Sequence, residues 1–210
     1  MFSNFKNSFN ELRVFVILWL TQSFSTLGSA MTGFALIIWS YQQQGSALST
    51  ALLSVCTYAP YVLVSIFAGA LSDRWNQKIT MLVSDSFAAA TTVAVLWLVS
   101  TNQLQIVHLY VINALNGLMN TVQQPASDVA VSLLTPQKHY QRVSGLRSLS
   151  NSAVTVLTPA LATALLAFAG LRAVLWFDLA TFGIAFAALL GWVPIPKSQA
   201  KSPVRESVLQ

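Results

Sequence analysis

The chain has 210 residues, of which 55% are hydrophobic and only 8% are charged, and its mean hydropathy is +0.62. A soluble globular domain carries about 25% charged residues, so the composition argues against that class and predicts a membrane protein. The net charge of +5 comes from basic residues scattered between apolar runs, which argues against nucleic acid as a partner. A single cysteine excludes a disulfide framework within the chain.

Six apolar runs follow one another along the chain, each close to or above the roughly 20 residues that a membrane-spanning helix needs. Short polar or glycine-containing joints separate them, the last at Ala169-Gly170. We therefore predict an all-α fold with six transmembrane helices over 14–193, between an N-terminal tail (1–13) and a C-terminal tail or linker (194–210). The predicted spans are 14–40, 47–71, 79–100, 105–134, 142–168 and 173–193.

The basic residues predict the orientation of these spans. All but one of the eleven Lys and Arg residues fall in the two tails, in the 71–78 joint or in the 134–147 segment; Arg172 is the exception. Because cytoplasmic segments of membrane proteins are enriched in Lys and Arg, both termini are expected in the cytoplasm. A multi-pass protein of the cell inner (plasma) membrane is the corresponding prediction.

The charged joint between the second and third spans resembles the loop motif of the major facilitator superfamily. That motif runs glycine, any residue, leucine, small, aspartate, arginine, any residue, glycine, basic, basic. The matching positions are Gly69, Leu71, Asp73, Arg74 and Lys78. Asn76 stands in place of the second glycine, where its tolerance of unusual backbone angles is expected to serve the turn, and Gln77 replaces a basic residue.

Later segments are similar to the branch of this superfamily that contains macrolide and siderophore exporters. They are Pro125-Ala126, 133–136, 143–146 and 178–182. The resemblance implies a bundle of two inverted three-helix repeats that exports a drug-like or siderophore-like molecule by alternating access, driven by an ion gradient. Complete members have twelve spans, so the resemblance also implies an N-terminal half: a fragment, a split gene product or a truncated gene.

Two groups of charged residues are candidates for a gate. The resemblance implies that the loop residues Gly69, Asp73, Arg74 and Lys78 stabilise one state of a transporter. The simpler alternative is a solvated basic loop with an incidental aspartate. Asp128, near the inner end of the fourth span, could form a second charge pair with Arg147, in the first turn of the fifth, or with the basic residues of the loop. The alternative for Asp128 is a solvated carboxylate at the membrane interface.

Amide and hydroxyl side chains recur at helical spacing deep in the spans. Because these groups need hydrogen-bond partners in lipid, their faces are expected to point inward. They either bond between helices or line a substrate cavity. The candidates are Gln22 and Thr26 on the first span, Asn113, Asn116, Asn120 and Gln124 on the fourth, and Asn151 and Thr155 on the fifth.

Two carboxylates fall inside predicted spans. Asp85, seven residues after Lys78, is either a proton carrier or, more simply, a packing partner of the basic loop. Asp178 follows Arg172 by about a turn and a half. For it we predict a local ion pair or an interfacial anchor near the outer face, with a substrate or proton contact as the alternative.

The sequence offers little for catalysis or for cofactors. It contains no phosphate-binding loop and no nucleophile with a base, and His108 and His139 are predicted at opposite faces. Many proton-driven drug exporters of the superfamily have an arginine four residues before a glycine in the fourth span, but here Asn113 precedes Gly117. We expect no enzyme activity and no cofactor, with a proton gradient as the suspected energy source.

The expected partners are a small-molecule substrate, the lipid bilayer, and either a second six-helix half or a second copy of the chain. Two alternatives to a half-transporter stay open at this point. One is a six-helix homodimeric transporter. The other is a truncated, non-transporting remnant or membrane interaction protein.

Overall fold

The computed structural model describes residues 13–72 and 76–192, with side-chain surroundings for 13–65 and 76–192. The helices are α1 (Arg13–Gln44), α2 (Ala47–Ser72), α3 (Gln77–Ser100), α4 (Ile106–Leu134) and α5 (Tyr140–Gly191), with a short 3-10 helix at Gln137–His139. No strand occurs in this part of the chain, so the prediction of an all-α fold is confirmed. The predicted tails lie outside it, apart from Arg13.

The turn before α3 differs from the prediction. Asn76 has φ −74° and ψ 114°, which is extended backbone open to any residue. Its role is to cap the helix, since its Oδ1 accepts a hydrogen bond from the Ile79 amide at 3.3 Å. Asn76 stands where the family motif has its second glycine. Its side chain accepts a hydrogen bond from a backbone amide at the N-terminal end of α3, and its backbone conformation is an ordinary extended one.

The longest helix, α5, is interrupted once. Gly170 has φ 76° and ψ 175°, a conformation nearly restricted to glycine because a Cβ atom would clash with the backbone there. It divides α5 into an N-terminal arm (140–169) and a C-terminal arm (171–191). The break lies at the joint that the sequence predicts between the last two spans.

Contacts with α1 and α3 show that the two arms run in opposite directions. Along α3, Arg172 donates from Nη2 to the Ser100 carbonyl at one end (3.4 Å), and Lys78 Nζ donates to the Leu190 carbonyl at the other (3.1 Å). The C-terminal arm is therefore antiparallel to α3.

The N-terminal arm is parallel to α1. Val143 packs on Phe15, near the start of α1, and Ala162 belongs to the same buried cluster as Met31, four turns further along that helix. Helix α1 contacts both arms, so it lies at the centre of the bundle. The chain thus folds back on itself at Gly170.

Four helices are long and apolar enough to cross a membrane by length and composition: Arg13–Gln44, Ala47–Ser65, Gln77–Ser100 and Gln137–Gly191. The last of these contains both arms of α5. Helix α4 has sufficient length, but its repeated asparagines and glutamines lower its hydropathy. The all-α membrane class is therefore supported, while the count of six spans stays a prediction.

Two glycines allow helices to approach closely. A Cβ atom on Gly117 of α4 would lie 2.1 Å from the carbonyl oxygen of Thr57 on α2. A Cβ atom on Gly28 of α1 would lie 2.3 Å from Thr181 Oγ1 and 3.0 Å from the Asp178 Cα on the C-terminal arm. Small residues permit this kind of backbone contact between membrane helices.

We predict that Gly117→Ala destabilises the protein, because the new methyl group meets main-chain atoms of α2, which cannot rotate away. Overpacking of this kind costs about 1–3 kcal/mol. Thermal unfolding of the purified protein in detergent measures it. Gly183→Ala is the matched control, since a Cβ atom there has nothing within 4 Å. Equal melting temperatures for the two variants would contradict the close contact.

Candidate functional site

A cavity of about 810 Å³ opens between α1, α3, α4 and both arms of α5, with α2 at its edge. Its wall carries many amide and hydroxyl side chains. Most of the residues predicted to face a cavity line it: Gln22, Thr26, Asn113, Asn116, Asn120, Gln124 and Asn151. The helical spacing of these residues places them on faces that converge on one space.

Thr155 is the exception among the predicted cavity residues. It is exposed, its Oγ1 donates to the Asn151 carbonyl of its own helix at 2.9 Å, and it does not line the cavity. A hydroxyl can donate its hydrogen bond to a carbonyl of its own helix in this way. A threonine in a span therefore does not show whether that side of the helix faces the bundle interior or the lipid. Thr26 makes the same kind of bond, to the Gln22 carbonyl at 2.8 Å, but lies on the cavity wall.

Asp85 lies in the cavity wall. It is only 6% exposed, and its carboxylate accepts hydrogen bonds from Gln22 Nε2 of α1, at 3.1 Å, and from Gln123 Nε2 of α4. Three helices therefore meet at this carboxylate. Both donors are side-chain amides.

Asp178 has a different environment from the one predicted. It is 4% exposed and lines the cavity, where it accepts hydrogen bonds from Ser29 Oγ of α1 and Thr92 Oγ1 of α3, both at 3.0 Å. Arg172 donates instead to the main chain of Ser100. The predicted local ion pair is therefore wrong, because Asp178 points inward from the C-terminal arm, away from Arg172.

Sequence reasoning named Gln22 as an inward-facing residue but missed the other partners of the two carboxylates. Gln123 bonds to Asp85, whereas the predicted stripe on α4 contains its neighbour Gln124. Ser29 is a small residue, a type that in a membrane helix indicates close packing as readily as a bond to a carboxylate. A spacing of seven links Gln22 to Ser29 on α1 and Asp85 to Thr92 on α3, and this double repeat is the signal that could have found them.

Asp128 and Arg147 form an ion pair between α4 and the N-terminal arm of α5. Arg147 also lines the cavity, so the pair lies at its edge. The side chains are 57% and 36% exposed, respectively. The pairing that the sequence suggested is present in the structure, while a gating role stays a prediction.

For most residues of the predicted gating loop, the structure does not describe the side-chain surroundings. This applies to Gly69, Asp73 and Arg74. Lys78 is described, and its Nζ donates to the Leu190 carbonyl at the end of the C-terminal arm, 3.1 Å away. A lysine at that position offsets the partial negative charge of the helix C-terminus and ties it to the start of α3.

The two histidines do not share a site. His108 Nδ1 accepts from the Gln105 amide at 3.2 Å at the start of α4, and His139 is buried beyond the other end of that helix. Within residues 13–72 and 76–192, no group of three or more His, Cys, Asp or Glu side chains could hold a metal ion.

The profile of the Major Facilitator Superfamily matches residues 18–209, which is most of the chain. The chain belongs to the major facilitator superfamily. Members of this superfamily are membrane transporters, so the prediction that the chain is not an enzyme is confirmed. The apolar helices and the membership together establish a multi-pass membrane protein.

Individual superfamily relatives are similar over most of the chain. Macrolide efflux protein A of Streptococcus pyogenes is 24% identical over 184 residues, covering 87% of this chain and 45% of that protein. An uncharacterized transporter of the superfamily from Bacillus subtilis, YfiS, is 23% identical over 190 residues, covering 90% and 44%. The chain thus spans about half the length of these curated relatives.

We predict that water reaches the α4 wall of this superfamily member's cavity. Cys56 is the only cysteine, so Cys56→Ser gives a background for single-cysteine labelling. Asn120→Cys should react with a charged, membrane-impermeant thiol reagent, because only a solvated thiol ionises readily. Val93→Cys is the matched control, an exposed α3 position that does not line the cavity. Similar labelling of both would contradict a wet cavity.

We also predict that the ion pair between Asp128 and Arg147 contributes little to stability. Both side chains are exposed by more than a third, and such pairs are worth about 0–1 kcal/mol. Asp128→Asn should therefore change the free energy of unfolding by less than about 1 kcal/mol, as measured by thermal unfolding in detergent. A much larger loss would show that the pair holds the bundle together.

Proposed function

We propose that this chain is the N-terminal half of an ion-gradient-driven efflux transporter, which moves a drug-like or siderophore-like molecule out of the cell by alternating access. The observation that carries the proposal is the cavity of about 810 Å³ with two buried carboxylates in its wall. The proposed transporter lies in the inner (plasma) membrane. The distribution of basic residues suggests that both termini of this chain are in the cytoplasm.

The cavity wall favours a neutral or cationic amphipathic substrate. Drug-sized molecules occupy sites of about 300–1,000 Å³, so the volume is adequate. Asparagine and glutamine side chains can donate or accept hydrogen bonds without imposing a charge, whereas Asp85 and Asp178 disfavour an anion. Arg147 lines the wall too, but it is paired with Asp128. The printed name of the streptococcal relative, a macrolide efflux protein, agrees with this class.

Exposed polar groups in the cavity wall support the proposal that a second bundle covers the open side of the cavity. Asn120, Gln124 and Asn151 line the cavity and are exposed. An unpartnered amide in hydrocarbon costs several kcal/mol, so lipid is a poor cover for them. A second bundle would enclose these groups with water between, and it would account for the remaining half of the relatives' length.

The neighbouring apolar surface fits the same arrangement. Helix α2 borders the cavity through Thr57, Tyr58 and Tyr61, and it exposes large side chains along its length, among them Leu48, Val55, Val62 and Leu63. The N-terminal arm borders the cavity through Asn151 and Val154, and it exposes Val156. These two helices therefore flank the open side with surfaces on which a partner bundle can pack.

The predicted gate lies at the end of the bundle that the basic residues assign to the cytoplasm. The ion pair of Asp128 and Arg147 is at the cavity edge, and the 69–78 segment joins α2 to α3. In the proposed cycle, this ion pair holds one state and breaks in the other. An exposed pair worth little to stability suits this role, because it can break at low cost.

We predict that residues 1–210 alone do not lower the accumulation of a labelled macrolide in bacteria lacking their own pumps. The same chain followed by a C-terminal six-helix half from a related transporter should lower it, since the cavity then has both walls. A protonophore should abolish the effect, because the gradient supplies the energy. Membrane insertion is checked by fractionation in every case.

Two matched substitutions test whether the substrate passes through the cavity. In the two-half protein, Asn120→Leu should reduce efflux, whereas Val93→Leu, on the exposed face of α3, should not. Efflux by residues 1–210 alone would overturn the half-transporter proposal and favour a homodimer. No efflux of any tested macrolide or siderophore by the inserted two-half protein would favour a non-transporting membrane protein.

A further inference from the structure

The buried polar groups of the bundle form two layers, about 10 Å apart along α1 and α3 by the rise of an α-helix. The amide layer consists of Asp85 with Gln22 and Gln123. The hydroxyl layer consists of Asp178 with Ser29, Thr92 and Thr32. Each layer holds one carboxylate, and the two carboxylates differ in the chemistry of their partners.

The amide layer suits an ionised carboxylate. Each side-chain amide presents N–H groups to Asp85, and an N–H group can donate but cannot accept. A proton on Asp85 would face these donors unless a glutamine side chain turned over. The hydrogen bonds of the amide layer therefore favour the carboxylate over the carboxylic acid at Asp85.

The hydroxyl layer suits both protonation states. A serine or threonine hydroxyl can donate to a carboxylate or, by rotating its O–H bond, accept from a carboxylic acid. Thr32 supplies a further hydroxyl: its Oγ1 lies close to Asp178 and is buried without a hydrogen bond of good geometry to any partner. A proton on Asp178 would give this orphaned oxygen a partner.

No charged group compensates Asp178 within the described part of the chain. The titratable side chains there on α1 are Arg13 and Tyr41, and those on α3 are Lys78 and Asp85; none of them is a partner of Asp178. On its own arm, Arg172 bonds to Ser100. A buried carboxylate at membrane depth without a cationic partner is costly unless it takes up a proton.

We propose that Asp178 is a reversible proton-binding site in the cavity wall, with Ser29, Thr32 and Thr92 exchanging donor and acceptor roles as it titrates. On uptake, an O–H bond forms on a carboxylate oxygen at the expense of hydronium in the cavity water. On release, that bond breaks and the proton returns to water. The use of this proton to drive efflux rests on the proposed function, whereas the binding itself does not.

Infrared difference spectroscopy of residues 1–210 in lipid tests the site directly. The chain has only six Asp and Glu residues, so single carboxyl bands can be assigned by substitution. Stepping the pH should reveal a carboxylic acid C=O band that is lost in Asp178→Asn and kept in Asp85→Asn. Thr32→Val, which removes the orphaned acceptor while keeping the shape, should shift the frequency of that band.

Other outcomes overturn the proposal. A band that survives Asp178→Asn and disappears in Asp85→Asn would assign the proton to the amide layer. The absence of any buried carboxyl band, or a titration midpoint that moves when choline is replaced by sodium, would exclude a proton-only site at Asp178. If Asp178→Asn does not fold, Ser29→Ala and Thr92→Val serve instead, and an unshifted band in both would count against the site.

The infrared measurement tests proton binding at Asp178, and the efflux assay tests transport, so the two can fail independently. A band that behaves as expected, in a chain whose two-half form exports nothing, would leave the proton site intact and overturn the transport role. Efflux that persists in a two-half protein carrying Asp178→Asn, with the wild-type band present, would show a proton site without a coupling function.

Discussion

The requirement that every polar atom in hydrocarbon find a partner inside the bundle organises this structure. A chain with 8% charged residues places two carboxylates deep among its helices, and each is held by side chains from two other helices. Those bonds join α1 to α3 at two levels, and then add α4 at one level and the C-terminal arm of α5 at the other. The polar groups thus determine which helices are neighbours, while the apolar side chains fill the space between them.

Close packing makes these bonds possible. Gly28 of α1 lies one residue before Ser29 and allows the backbone at Asp178 to come within reach of the serine hydroxyl. Gly117 does the same for α2 and α4 on the other side of the cavity. In a membrane, where hydrophobic association between helices is weak, small residues and interhelical hydrogen bonds are the available means of fixing helix positions. In α1, Gly28 permits the close approach and the adjacent Ser29 donates the interhelical hydrogen bond.

The sequence predicts the features that depend on local chemistry. Apolar runs and joint residues place the helices, and Ala169-Gly170 marks the break in α5, since it supplies the one residue type that tolerates the observed backbone. Amide spacing identifies most of the amide side chains in the cavity wall. The partners of Asp178 could not be predicted in the same way, because Ser29 is separated from it by 149 positions and a hydroxyl can equally satisfy itself on its own helix, as Thr155 does. Gln123 and Gln124 show the same limit, since adjacent amides on a helix face different neighbours.

The position of α1 bears on how the two carboxylates would take part in a transport cycle. Helix α1 bonds to both layers through Gln22 and Ser29, and it contacts both arms of α5, so the layers are fixed to one rigid unit. Rocking this unit against a second bundle would carry Asp85 and Asp178 together and change which side of the membrane their cavity faces. Proton access to Asp178 would then alternate without any rearrangement inside this bundle. The hydroxyl layer, whose donors and acceptors exchange by rotation of O–H bonds alone, is suited to such a rigid unit, because it can bind and release a proton while the helices keep their packing.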